Sequence, residues 1–400
     1  MFLRRLLSAA TAVALAGGAA AGCGGQSRRL ALTVTPRSAS DDVPFEVRVT
    51  GLRPRQPASL LFAGRATDGV RWRGGRRARA DARGEIVLDD QYLLDDMHHP
   101  GGVDEPFPQT LQVTVKARGL SASTTVHRHA VTLTSVPTTA ETPARVGFYG
   151  QWLHPAGARR RTAILFFGGS EGGLGESSGG PELAATLAAH GYPVLHLAYF
   201  SEPGLPRNLE RIPLEYFRRA LHWLAAQPEV DPRRIVTFGI SRGGELSLIL
   251  ASAFPRLVHA AVGYVPYYAA VPSPSDPALP AWTFHGRPVL GVIPVERSSG
   301  PVFVVGGDAD ALWQSGLSVQ LIAERMHRHR RHDVTALAYP DAGHAIGTVV
   351  PLQLHLSPDL YGVVPSRYGM LYLGGTPAAD EQAREDAWPK LLRFLAALRG

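Results

Sequence analysis

Cysteine is almost missing: Cys23 is the one thiol in 400 residues. That excludes a disulfide framework and any cysteine-rich zinc site. Lysine is nearly absent too. Lys116 and Lys390 are the two, and arginine supplies the rest of 41 basic residues set against 34 acidic ones, a net charge of +7. The basic residues are scattered among acids along the chain, without the block expected of a nucleic-acid-binding stripe, so no nucleic-acid partner is expected. No fixed-period repeat is present. Past the N-terminus, no apolar run is long enough to span a bilayer. Against these absences, 45% of the residues are hydrophobic, which suits sizeable cores and excludes global disorder. The 43 glycines and 32 prolines follow no collagen-like period. The length suits two or three domains.

The first residues read as an address. Arg4 and Arg5 precede an Ala-rich apolar run from Leu6 to Ala21, and Ala20-Ala21-Gly22-Cys23 closes it with small residues. This is the pattern of a secretory signal peptide, assigned to residues 1–22. A lone cysteine at that point also resembles a bacterial lipobox, with Ala20 where leucine is more usual. The expectation is an exported protein held at a membrane surface by acyl chains on Cys23, with residues 23–29 as a tether. An ordinary cleaved signal would make it secreted or periplasmic.

Residues 30–135 read as a β-sandwich. Short alternating runs such as Phe45-Glu46-Val47-Arg48-Val49 and Leu111-Gln112-Val113-Thr114-Val115 are separated by turn signals such as Asp81-Ala82-Arg83-Gly84. Met97-His98-His99 and His127-Arg128-His129 are the nearest approach to metal-ligand clusters, and they read as solvated histidines; no metal or cofactor is expected. Residues 136–145, rich in Thr, Ala and Pro, read as a linker. From Val146 to the end, strand patterns (163–167, 193–198, 235–238, 259–264, 302–305, 334–338) alternate with helical ones (181–190, 214–226, 244–253, 316–327, 381–398). Pro232 suggests a loop before one strand, and Pro389 a break or kink in the last helix. The alternation implies a mostly parallel sheet with helices on both faces and a site at the carboxyl ends of its strands.

Gly239-Ile240-Ser241-Arg242-Gly243 follows the strand pattern 235–238 and precedes a helix. Strand, tight turn and helix is the context a nucleophile elbow requires. A serine hydroxyl needs a base, and the chain order in such sheets is Ser, acid, His. His344, in the turn Asp341-Ala342-Gly343-His344 after the last strand, is the best placed of 15 histidines. His327, His329 and His332 sit in an Arg-rich helix end, and His355 in a later loop. The acid follows the strand 302–305, where Asp310 is chosen and Asp308 stays open; helix capping is the alternative role for either. Oxyanion donors are expected from the N–H of Arg242 and from the loop Gly168-Gly169-Ser170-Glu171-Gly172-Gly173, at Ser170 or Glu171. That loop lacks the Gly-Lys-Ser/Thr ending of a phosphate cradle.

The stretches Pro203-Gly204-Leu205-Pro206-Arg207-Asn208-Leu209-Glu210, Ile212-Pro213-Leu214-Glu215-Tyr216-Phe217, Val230-Asp231-Pro232-Arg233-Arg234-Ile235, the elbow through Leu246, Trp313 with Ser315, and Tyr339-Pro340-Asp341-Ala342-Gly343-His344 resemble the acyl-CoA thioesterase and bile acid-CoA:amino acid N-acyltransferase family. Val47-Arg48-Val49-Thr50-Gly51-Leu52 and the turn at 81–84 extend the likeness to that family's N-terminal domain. The resemblance implies an immunoglobulin-like sandwich followed by an α/β-hydrolase domain over residues 146–400, and an acyl thioester or ester substrate. It maps nucleophile, acid and base to Ser241, Asp310 and His344. Serine rather than cysteine at the elbow implies hydrolysis, with transfer of the acyl group to an amine or alcohol as the alternative. A binding lipoprotein with a vestigial site is the non-enzymatic alternative. The export signal departs from the family pattern, since coenzyme A is intracellular.

Overall fold

The computed structural model describes residues 29–89, 97, 108–155, 157, 160–174, 180–350 and 362–399. Cys23, the signal segment, all of the tether but Arg29, His98, His99 and His355 lie outside the described residues.

The described residues between 31 and 129 build two sheets on one shared core. The strands Ala31–Thr35, Glu46–Thr50 and Ile86–Asp89 form one. The other has the order Ser38–Ser40, Leu120–His129, Thr110–Ala117, Pro57–Arg65, Arg71–Arg79. Alternate residues point inward, so Val34, Val47 and Val49 meet Leu60, Phe62, Trp72, Val113 and Val126. Two of these strands carry no apolar alternation that sequence reading could use. Arg71–Arg79 is Arg-Trp-Arg-Gly-Gly-Arg-Arg-Ala-Arg, held in register by its neighbour rather than by its own pattern. In Leu120–His129, polar residues occupy most positions. Its His129 bonds Ser38 Oγ at 2.7 Å, and His127 meets Thr110 Oγ1 at 3.1 Å.

The second unit is an eight-stranded sheet. Its strands are β1 (Thr138–Glu141), β2 (Tyr149–Leu153), β3 (Arg161–Phe167), β4 (Val194–Ala198), β5 (Val230–Ile240), β6 (Ala260–Tyr264), β7 (Val302–Gly307) and β8 (Val334–Tyr339). Their order is β8-β7-β6-β5-β3-β4-β2-β1. From β8 to β4 the pairs are parallel; β2 and β1 add an antiparallel edge. The segment expected as a linker is therefore partly edge strand: its Thr and Ala residues pair with β2. Pro232 lies inside β5, not in a loop before it, at a register irregularity where Arg161 pairs with Val230 and Ala163 with Ile235.

Helices cover both faces. α1 (Gly180–Ala189) and α5 (Pro377–Ala397) close one core, while α2 (Leu214–Ala225), α3 (Arg242–Ala253) and α4 (Ser315–Arg328) close the other. The central strands are buried on both sides, which is why they read as continuous apolar runs. α5 starts at Pro377, capped by the Thr376 hydroxyl on Ala379 N–H at 3.2 Å, and continues through Pro389 without a break. The two units are joined by Asp42, whose buried carboxylate takes His190 Nε2 at 2.6 Å and Trp388 Nε1 at 3.2 Å. The chain order reverses between β3 and β5, the switch point where α/β sheets open a crevice. The arrangement is that of an α/β hydrolase.

Candidate active site

Ser241 sits at that switch point, between β5 and α3. Its φ of 57° and ψ of −120° are strained for a residue with a side chain, and its N–H is tied to Tyr264 O at 2.9 Å. The tight turn is permitted because the residues two positions away on either side, Gly239 and Gly243, have no side chains. A Cβ on Gly239 would lie 1.9 Å from Gly243 O, and one on Gly243 would lie 2.2 Å from Gly168 O. The Gly-x-Ser-x-Gly spacing thus lets β5, α3 and the loop after β3 touch backbone to backbone.

His344 arrives from the turn after β8. Its Nε2 is 3.0 Å from Ser241 Oγ, and its Nδ1 is 2.8 Å from Asp310 Oδ2. With the proton on Nδ1, the imidazole donates to the carboxylate and accepts from the hydroxyl. All three groups are largely buried, with 7–9% of each residue exposed. Asp310 is aimed by its other oxygen, which accepts the N–H groups of Leu312 (3.0 Å) and Trp313 (3.2 Å). Asp308, the rival acid, is exposed and lies against Gly316 at the start of α4, outside this chain of contacts. The rings of His327 and His332 lie tilted against each other at 5.4 Å, both exposed. Trp313 closes one side, its ring edge-on to His344 at 5.4 Å and its Nε1 on Val265 O at 2.9 Å.

The turn carrying His344 is held by residues sequence reading missed. Asp380, fully buried on α5, accepts Gly343 N–H at 2.5 Å. Arg384 on the same helix donates to Ala345 O at 3.1 Å, and His344 N–H bonds Leu373 O at 2.8 Å. An Asp and an Arg four residues apart on one helix face were the available signal.

The loop after β3 lies over Ser241. Gly169 is the residue whose Cα approaches it: a Cβ there would lie 3.0 Å from Ser241 Cβ. The Glu171 carboxylate accepts Gly169 N–H at 2.7 Å. Ser170 lies between them in the same turn. Tyr199 fixes the loop from below by donating to Gly168 O (2.9 Å) and Gly169 O (2.7 Å). Burial holds that phenol well above its ordinary pKa, so it stays a donor. Arg242 is the first residue of α3, so its N–H has no partner within the helix and points out of a positive helix end.

Behind that N–H is a polar network. The Arg242 side chain is buried, donating to Glu245 Oε2 (2.6 Å), Val271 O (2.9 Å) and Pro272 O (3.2 Å). Glu245 takes Trp282 Nε1 at 2.7 Å. Burial pushes the Glu245 carboxyl up to about 7 despite the guanidinium beside it. Sequence reading took only the Arg242 backbone; an Arg and a Glu three apart at a helix start was the overlooked cue. Among the described residues no three His, Cys, Asp or Glu side chains gather into a metal site.

The BAAT / Acyl-CoA thioester hydrolase C-terminal family model matches residues 212–270 and 288–398. Acyl-coenzyme A thioesterase 6 of Mus musculus is 29% identical, over 91% of this chain and 95% of that protein. Over residues 212–270 and 288–398 the chain is similar to this family. Peroxisomal succinyl-coenzyme A thioesterase of Mus musculus, another relative, is 26% identical over the same shares. Among solved structures, an esterase from the archaeon Pyrobaculum calidifontis is 14% identical with a TM-score of 0.40, over 66% of this chain and 87% of that one. The match to the family spans the elbow, Asp310 and His344, and leaves out residues 271–287, which include Trp282 and Pro272 of the buried network.

Proposed function

We propose that the protein hydrolyses acyl thioesters, with Ser241 as nucleophile, His344 as base and acid, and Asp310 as the carboxylate that orients it. The observation carrying this is the Ser241–His344–Asp310 chain of contacts beside a strained elbow. Ser241 Oγ attacks the thioester carbonyl while His344 Nε2 takes its proton. The charge moves to the carbonyl oxygen, facing the Arg242 N–H and a backbone N–H of the loop at Ser170 or Glu171. Collapse breaks the C–S bond, and the thiolate leaves with the proton from His344. Water then attacks the acyl-serine ester, giving its proton to His344; the acid departs and Ser241 regains its hydrogen. Asp310 stabilises the imidazolium in both halves. The names of the family relatives support a coenzyme A thioester as the substrate class.

Three finer readings belong with this proposal. Ser241 favours water over an amine or alcohol acceptor, because an oxygen ester is less readily captured by an amine than a thioester is. The two-sheet unit at 31–129 is read as immunoglobulin-like on its sequence likeness to the family's N-terminal domain. Cys23 is read as a lipidation site on an exported chain, with the substrate then a thioester or ester of the envelope. The test is a hydrolysis screen of wild type and Ser241→Ala against acyl-CoA, p-nitrophenyl esters and lipid extracts, with and without added acceptors. Turnover by wild type alone, yielding free acid, supports the reading; acyl-acceptor product in place of acid would replace hydrolysis by transfer. Cys23→Ala releasing the protein from membranes supports the anchor.

A further inference from the structure

The arginines that look scattered along the chain are gathered by the β-domain into one sheet face. In Arg71–Arg79 every second residue is exposed, and four of these five are arginines: Arg71, Arg73, Arg77 and Arg79. Register places Arg65 directly opposite Arg71, and Lys116 beside Ser59, which is itself opposite Arg77. All six cations are exposed on the solvent side of the five-stranded sheet; the other side is the core of Leu60, Phe62, Trp72 and Val113. The remaining outward positions in register with them are small, polar or aliphatic, with His127 beside Thr110 at one end. None is a carboxylate. Among the described residues, Arg71, Arg73, Arg77, Arg79 and Lys116 form no ion pair, although surface arginines elsewhere in the molecule do.

This clustering works against the fold. Like charges directly opposite on paired strands are destabilising, and Arg65 faces Arg71 across the ladder. One or two edge charges would be enough to block edge-to-edge pairing. At about 3.4 Å per residue, the four strand arginines form a row roughly 27 Å long. We infer that this face docks on a membrane surface rich in anionic phospholipid headgroups. Charge complementarity selects an anionic partner. The shape selects a flat one, because the outward positions of the sheet carry no Phe, Tyr or Trp ring for bases to stack on. Arginine suits phosphate by presenting a forked set of donors.

The test measures partition of full-length Cys23→Ala protein, in which no acyl anchor contributes, onto phosphatidylcholine vesicles with and without phosphatidylglycerol. Each basic residue near an anionic surface is worth about fivefold in partition. Replacing Arg71, Arg73, Arg77 and Arg79 together by glutamine is therefore expected to lower partition onto the anionic vesicles by on the order of 100-fold or more. Replacing the same four by lysine keeps most of it, and salt weakens wild-type binding. Residues 1–22 are common to all variants, so the difference belongs to the face. Equal partition of the glutamine variant and wild type would overturn the inference. So would a wild type that ignores phosphatidylglycerol but is retained by duplex DNA or RNA. Hydrolase activity does not enter the readout, so this inference and the proposed function fail separately.

Discussion

Gly239→Ala is the sharpest local perturbation of the elbow. The added methyl would lie 1.9 Å from the carbonyl oxygen of Gly243 and 2.2 Å from its carbon, where 3.4 Å is ordinary contact. The methyl cannot rotate away, so the first turn of α3 must retreat by more than an ångström. That retreat is itself blocked, because Gly243 already backs onto Gly168, whose carbonyl oxygen lies 2.2 Å from where a Gly243 Cβ would be. The displacement therefore reaches the loop at Gly169 and the Arg242 N–H together. Overpacking of this kind costs about 1–3 kcal/mol of stability. Misplacing reacting groups by about 1 Å costs on the order of 100-fold in rate. The assay is steady-state hydrolysis of an acyl-CoA or p-nitrophenyl ester, with the rate of fluorophosphonate labelling and a thermal melt alongside. The expected result is a folded protein, a modestly lower Tm, and both rates reduced by about 100-fold. A folded Gly239→Ala enzyme with wild-type kcat would refute the claim that these backbone contacts set the elbow.

Three other predictions follow from the same geometry. Asp310→Asn keeps the shape but favours the wrong imidazole tautomer, and is expected to lower kcat on the order of 10⁴-fold; Asp308→Asn is expected to leave it nearly unchanged. Burial holds His196, on β4, down at about 4, so it must stay neutral in the fold. Its unfolded form gains a proton near 6.5, so stability is present above that pH and is lost as pH falls toward 4, by roughly 3 kcal/mol; a denaturant series should show that slope reduced in His196→Gln. For Glu245 the sign is opposite. Its carboxyl is pushed up to about 7, so the stability linked to its protonated form is complete below about 4.5 and is lost as pH rises through 7. Relative to Glu245→Gln, wild type should lose stability over that range; parallel pH curves would contradict it.

What could be read from the chain was what local physics dictates. The change from alternating strands to strand–helix rhythm separated an all-β unit from a parallel sheet, because buried parallel strands have to be apolar on both faces. Gly239, Ser241 and Gly243 were legible because the elbow needs small residues at fixed spacing. Asp310 and His344 were legible because each follows a strand that ends at the same crevice. The strand Arg71–Arg79 was hidden, since its place is set by pairing with Pro57–Arg65 and by one buried Trp72. The edge strand Thr138–Glu141 was hidden for the same reason: its partner, not its composition, makes it a strand. Arg242 was read for its backbone alone, because nothing local tells that its side chain turns inward to Glu245.

The central claim is that Ser241 carries the acyl group between two half-reactions. The direct measurement is rapid quenching of wild type with an acyl-CoA, followed by peptide mass analysis. The account predicts a mass increase equal to the acyl group on the peptide containing Ser241, formed before free acid and absent from Ser241→Ala. Full turnover by Ser241→Ala, or turnover by wild type with no such adduct at any time, would contradict it.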